Sequence, residues 1–134
     1  MSMDAFHRAL WAFWRGVTVN GETYPAWLQG QVPDDAQFPY VTFNVAKSAA
    51  FGTAPLSATF WTKSDAGESN NALRAAFFDA ASLAVPESGT RLEWDGGFCL
   101  IHRSSGDFLS IMTDEEDESV IGGRVGIEVT FYDM

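Results

Sequence analysis

Near the start of the chain Met3, Phe6, Leu10 and Phe13 recur at helical spacing. That stripe predicts a first helix running to about Arg15. Ser2 stands where an N-cap would, Asp4 suits the first turn and Gly16 supplies a stop. Trp11 lies roughly 140° round from Phe6 at about 100° per residue, on the face left for water. A second periodic run, about Ser69 to Val85, gathers Leu73, Ala76, Phe77, Ala80 and Ala84 on one face. Arg74, Phe78, Asp79 and Ser82 fall off that face, and Pro86 ends the helix.

Elsewhere the period changes from 3.6 to 2. Val41, Phe43 and Val45 alternate with polar neighbours over Tyr40 to Ala46, and Leu56, Ala58 and Phe60 repeat the pattern over 56 to 63. Two antiparallel strands joined by the long loop Lys47 to Pro55 are expected. Leu92 to Trp94 is a short strand ending at Asp95-Gly96-Gly97, and Phe98 to Arg103 is expected to turn at Ser104-Ser105-Gly106 into Asp107 to Met112 as hairpins. The last strand sets Val125, Ile127, Val129 and Phe131 against Arg124, Glu128, Thr130 and Tyr132. Gly122-Gly123 reads as a flexible lead into it. Residues 17 to 39, rich in glycine and proline and containing Asn20-Gly21, read as turns and short extended pieces.

The order α-β-β-α-β-β-β-β predicts an α+β fold, an antiparallel sheet with two helices packed on one face. At 134 residues one domain spanning 1–134 is expected. The composition, 46% apolar and 14% aromatic, is that of a folded chain. Eighteen acids against eight bases give a net charge of −10, which repels a phosphate backbone and argues against ordinary nucleic-acid binding. Arg8, Arg74 and Asp79 interrupt the apolar segments before they reach the roughly 18 residues of a membrane span. Cys99 is a lone cysteine, so no disulfide framework exists and a soluble, intracellular product is expected.

Chemistry-bearing patterns are few. His7, His102 and Cys99 are scattered, without the spacing zinc needs, and no metal or cofactor is expected. Asp114, Glu115, Glu116, Asp117 and Glu118 are consecutive, but an EF-hand loop starting at Asp114 would want Gly at Ser119 and Glu at Val125. Their mutual repulsion predicts a solvated, mobile loop. No Gly-x-Ser-x-Gly elbow occurs, and no enzyme is expected. Three aromatics remain in excess: Trp11 and Phe78 on helix faces that should meet water, and Phe51 in a glycine-bearing loop. Together they predict a self-association surface.

Phe38-Pro39-Tyr40-Val41-Thr42-Phe43, Phe51-Gly52 and Phe60-Trp61-Thr62-Lys63-Ser64 leading into a helix resemble the tail-completion and tail-terminator proteins of long-tailed bacteriophages. Phe108-Leu109-Ser110-Ile111, an acidic turn and the closing strand Gly126-Ile127-Glu128-Val129-Thr130-Phe131 continue the resemblance. It implies a virion structural protein, assembled in the bacterial host cytoplasm. Such a subunit forms a hexameric ring on the tail tube, stops tube polymerisation and meets the head connector protein. DNA would pass without being specifically bound, and the acidic loop would line the lumen or contact a partner. A head-completion protein of the same architecture, and a small ligand-binding or enzymatic α+β domain, are the alternatives.

Overall fold

A computed structural model describes residues 3–45, 53–64 and 70–133. In chain order they form α1 (Met3–Arg15), β1 (Thr18–Val19), β2 (Glu22–Thr23), β3 (Ala26–Leu28), β4 (Tyr40–Phe43) and β5 (Thr53–Lys63). Then follow α2 (Asn71–Ala84), β6 (Thr90–Trp94), β7 (Gly97–Arg103), β8 (Leu109–Thr113) and β9 (Val120–Asp133). The expected α+β architecture is present, with three short strands added in the glycine- and proline-rich segment. Asn20 and Gly21 take φ of 53° and 82°, the two positive values a tight hairpin needs, and join β1 to β2.

The seven-stranded sheet runs β3-β4-β5-β9-β7-β6, with β8 also paired to β9. It is antiparallel except at one edge, where β3 lies parallel to β4. The chain from Gln29 to Pro39 crosses back to make that pairing possible. The long strand β9 is the organiser: β5 pairs with it from Thr53↔Thr130 to Lys63↔Val120.

Both helices lie on one face, as register and ring contacts establish. Phe60 is opposite Gly123, so it points to the same side as Val125, Ile127, Val129 and Phe131. Phe77 of α2 stacks on Phe60 at 4.7 Å and 9°, and Phe6 of α1 meets Phe131 edge-on at 4.8 Å. The sheet curls so that α1 touches both edge strands, β3 and β6. Phe6, Leu10 and Trp14 are fully buried; Phe13 of the expected stripe is only half-buried.

Three expectations need correction. First, α2 seats on Phe77 and Ala81, with Val85 buried just past its end, while Leu73, Ala76, Ala80 and Ala84 are half-buried. Arg74, placed off the face by helical spacing, is buried because its guanidinium crosses to β5 and donates to Thr62 Oγ1 at 2.6 Å. Second, β7 and β8 do not form a hairpin with each other: both run antiparallel to β9, end to end. Residues 104–108 loop out opposite Gly126, whose carbonyl accepts from Ser104 N–H at 3.0 Å while its N–H donates to Phe108 O at 2.8 Å. Third, Gly122 and Gly123 are ladder residues of β9, since side chains of Thr59 and Trp61 fill the space over one and Phe78 the space over the other.

Arg103 ties α2 to the sheet. Its Nε donates to Val85 O at 2.9 Å and its Nη2 to Ser82 O at 3.3 Å, supplying donors and positive charge at a helix C-terminus.

Candidate functional site

A groove of about 370 Å³ with both apolar walls and polar groups lies where α1 passes β3. Two forces hold it open. The i, i+4 spacing of His7 and Trp11 puts both on the flank of α1, and β3, only three residues long, leaves the helix flank uncovered. Trp11, Leu28, Phe43 and Val45 form apolar walls; His7, Arg8, Trp27 and Gln31 add polar groups. Trp11 is 45% exposed, as its position off the stripe predicts, but its indole N–H is committed to Ala26 O at 2.9 Å. With Gln31 N–H donating to Leu28 O at 2.9 Å, that bond occupies carbonyls of an edge strand that would otherwise recruit another chain.

His7 Nε2 and Trp27 Nε1 are buried and have no hydrogen-bond partner among the described residues. His7, expected on the helix surface, is therefore a groove residue. Arg8 pairs with Asp4 one turn earlier at 3.0 Å, with both side chains largely exposed, a contact worth a few tenths of a kcal/mol, roughly. No carboxylate lines the groove. His102, by contrast, is packed against Gly89: a Cβ there would lie 2.6 Å from His102 Nδ1.

Phe51 lies outside the described residues. Phe78 corrects the second expected aromatic: it is half-buried, its ring seated over the Cα of Gly123 and 6.3 Å from Phe77. A glycine 45 residues away in sequence makes that seat, so helical periodicity alone could not reveal it. Leu83, Ile111 and Met112 are exposed without any signal in the sequence patterns. Leu83 is 85% exposed on the outer side of α2, and Ile111 is 58% exposed on β8. The exposure of Ile111 depended on the unexpected position of β8.

The five acids occupy the β8–β9 turn, and it is an organised hairpin. Asp114 Oδ1 accepts from the N–H groups of Glu116 and Asp117 at 2.8 and 3.2 Å. Asp117 Oδ1 accepts from Ser119 N–H and Oγ at 3.0 and 2.6 Å, and its Oδ2 lies 3.6 Å from Lys63 Nζ. Glu115, Glu116 and Glu118 stay exposed. Hydrogen bonds from the Ser119 side chain and backbone, then the Lys63 charge, hold the Asp117 carboxyl below its ordinary value. That contribution is present above the unfolded pKa and is lost as pH falls through the lowered folded one. An NMR titration should place the Asp117 midpoint below 3.8, and Ser119→Ala should move it back up.

Among the described residues no three His, Cys, Asp or Glu side chains gather as a metal ion requires, and no helix is long and apolar enough to cross a membrane. Burial pushes the Cys99 thiol up to about 12, so it should react with a thiol reagent at neutral pH only after unfolding. Compared with protein-family models, curated proteins and solved structures, the chain matches none.

Proposed function

We propose that this chain is the subunit of a ring that caps the tail tube of a long-tailed bacteriophage, stops tube polymerisation and joins tail to head. The observation that carries the reading is apolar surface on the helices where water should be. Leu83 stands 85% exposed on α2, and Trp11 stands 45% exposed on α1. Single exposed apolar residues are ordinary, but aromatic and aliphatic residues on two helices of one small domain fit interface cores. The element order that accompanies the tail-terminator resemblance supports the same reading. In that role the chain's partners are its own copies, the tail-tube protein and the head connector.

Electron microscopy of uncapped tail tubes with and without the purified protein is the test. The expected result is a ring at the head-proximal end and tubes of fixed length; binding to heads alone would favour a head-completion role, and no binding to either would overturn the proposal. Trp11→Asp and Leu83→Asp should each reduce capping while leaving the circular dichroism spectrum unchanged. Each copy carries −10, so long-range repulsion opposes assembly. Raising the salt from about 0.01 to 0.15 M shortens the screening length from roughly 30 to 8 Å, and association measured by sedimentation should strengthen over that range.

A further inference from the structure

On the face of the sheet away from the helices, a recess of about 140 Å³ is bordered by Thr42, Asn44, Ser57, Thr59 and Arg124; a single water needs roughly 10–15 Å³. Among the described residues Arg124 is the one Lys or Arg whose side chain meets no hydrogen-bond, ion-pair or ring partner. Arg8, Lys63, Arg91 and Arg103 face carboxylates, and Arg15 and Arg74 donate to neutral oxygens. Arg124 is nevertheless half-buried, and a guanidinium drawn out of water can only donate, so it wants acceptors. It extends over Gly126, where a Cβ would lie 3.7 Å from Arg124 Nη1, and Gly126 is the residue paired with Ser57. Glu128, two residues further along the same face, is held by Ser105 N–H and Oγ at 3.3 and 2.9 Å. In a chain of eighteen acids and eight bases, no carboxylate lines this recess.

The neutral groups have the same bias. Ser57 N–H donates to Asn44 Oδ1 at 2.7 Å, and a backbone N–H can only donate, so the Asn44 amide is turned with its NH2 left to give. Thr42 Oγ1 accepts from Trp61 Nε1 at 2.9 Å, which leaves its own proton to give. The hydroxyls of Ser57 and Thr59 have no partner among the described residues.

We propose that this recess is a carboxylate-binding site, with the Arg124 guanidinium and the Asn44 NH2 as its donors and the three hydroxyls around it. A guanidinium presents two parallel N–H groups that match the two oxygens of a carboxylate. One cation balances one charge. Asp114, Glu115 and Glu116 border the next recess beyond Trp61 and Met112, so a dianion such as phosphate is repelled more strongly than a monoanion. Trp61 and Met112 also give a short alkyl tail an apolar side to lie against. The site stands apart from the groove beside α1 and does not depend on the ring reading. The carboxylate belongs either to a small free molecule or to the surface of a second copy, and the same chemistry recognises both.

Side-chain nitrogen NMR tests the site directly. At constant ionic strength, replacing chloride by acetate should shift the Arg124 Nε–H and Asn44 NH2 signals saturably, and neutral acetamide should not. Arg124→Gln should weaken acetate binding at least about tenfold, as loss of a hydrogen bond to a charged group does. Asn44→Asp keeps the acceptor for Ser57 N–H, so the circular dichroism spectrum should be unchanged, but it replaces a donor by a negative charge and should abolish binding. Inorganic phosphate should bind more weakly than acetate. No saturable shift up to about 100 mM acetate, a hundredfold above a millimolar Kd, would overturn the proposal. Equal shifts with acetamide, unchanged binding in either variant, or tighter binding of phosphate would do the same. Sedimentation velocity in acetate and in chloride separates the two sources. Assemblies of the parent that acetate disperses and Arg124→Gln prevents place the carboxylate on a second copy. A parent whose sedimentation is indifferent to both, with acetate bound, takes a free small carboxylate. Failure of the parent to form rings removes the ring reading and leaves the acetate result standing.

Discussion

Phe77→Ala is expected to lower the unfolding free energy by roughly 3–5 kcal/mol, the range for truncating a large core aromatic, as measured by denaturant titration. Phe77 is fully buried and lies flat on Phe60 at 4.7 Å and 9°, at the point where α2 meets the middle of the sheet. Phe60 in turn contacts Tyr24 edge-on at 5.3 Å, so removing the Phe77 ring strips one side of a three-ring stack. The glycine at 123 opposite Phe60 cannot collapse into the vacated space. Collapse is what lowers the cost of a cavity, and the half-buried Phe78 ring, 6.3 Å from Phe77, is the neighbour whose shift would bring the value toward the lower end of the range. A loss under 1 kcal/mol would show that α2 is not seated on this ring.

Gly126→Ala should cost about 1–3 kcal/mol, the usual penalty of overpacking. The added methyl would lie 2.7 Å from the backbone oxygen of Asp107 and 3.3 Å from Ser104 Cβ, and a backbone atom cannot swing aside as a side chain can. The 104–108 segment would have to move, straining the two hydrogen bonds by which Gly126 holds its ends. It would also disturb the bond from Ser105 Oγ to Glu128 Oε1 at 2.9 Å. Gly106→Ala is the control, because its Cβ would meet nothing closer than Ser104 Oγ at 3.8 Å. It should leave stability within about 0.5 kcal/mol of the parent, as surface changes usually do. Equal effects at the two glycines would remove the steric explanation.

The candidate site was legible in parts. Trp11 could be placed on the open side of α1 by angle alone, because helix geometry fixes each side chain's direction relative to Phe6. That Trp11 would wall a groove could not be read, since the opposite wall comes from β3 and β4 and the groove exists only once those strands pair in parallel. His7 and Trp27 are twenty residues apart and carry no spacing signal. Phe78 misled for a related reason: its direction was right, but β9 passes beneath it and offers a glycine. The acidic run showed charge clearly but concealed order, because its hydrogen bonds depend on Ser119 and on Lys63, which β5 brings alongside.

By itself the sequence determined the two helices, the alternating strands β4, β5 and β9, the α+β class and the absence of a disulfide. Those features follow from periodicity and residue type, which act locally and are written in neighbouring positions. The tertiary structure alone decided the parallel edge strand, the end-to-end placement of β7 and β8 along β9, the burial of Arg74 against Thr62 and the groove beside α1. Each depends on which strand lies next to which. Strand pairing is fixed by contacts between residues far apart in the chain, and local periodicity is the same whichever neighbour a strand selects.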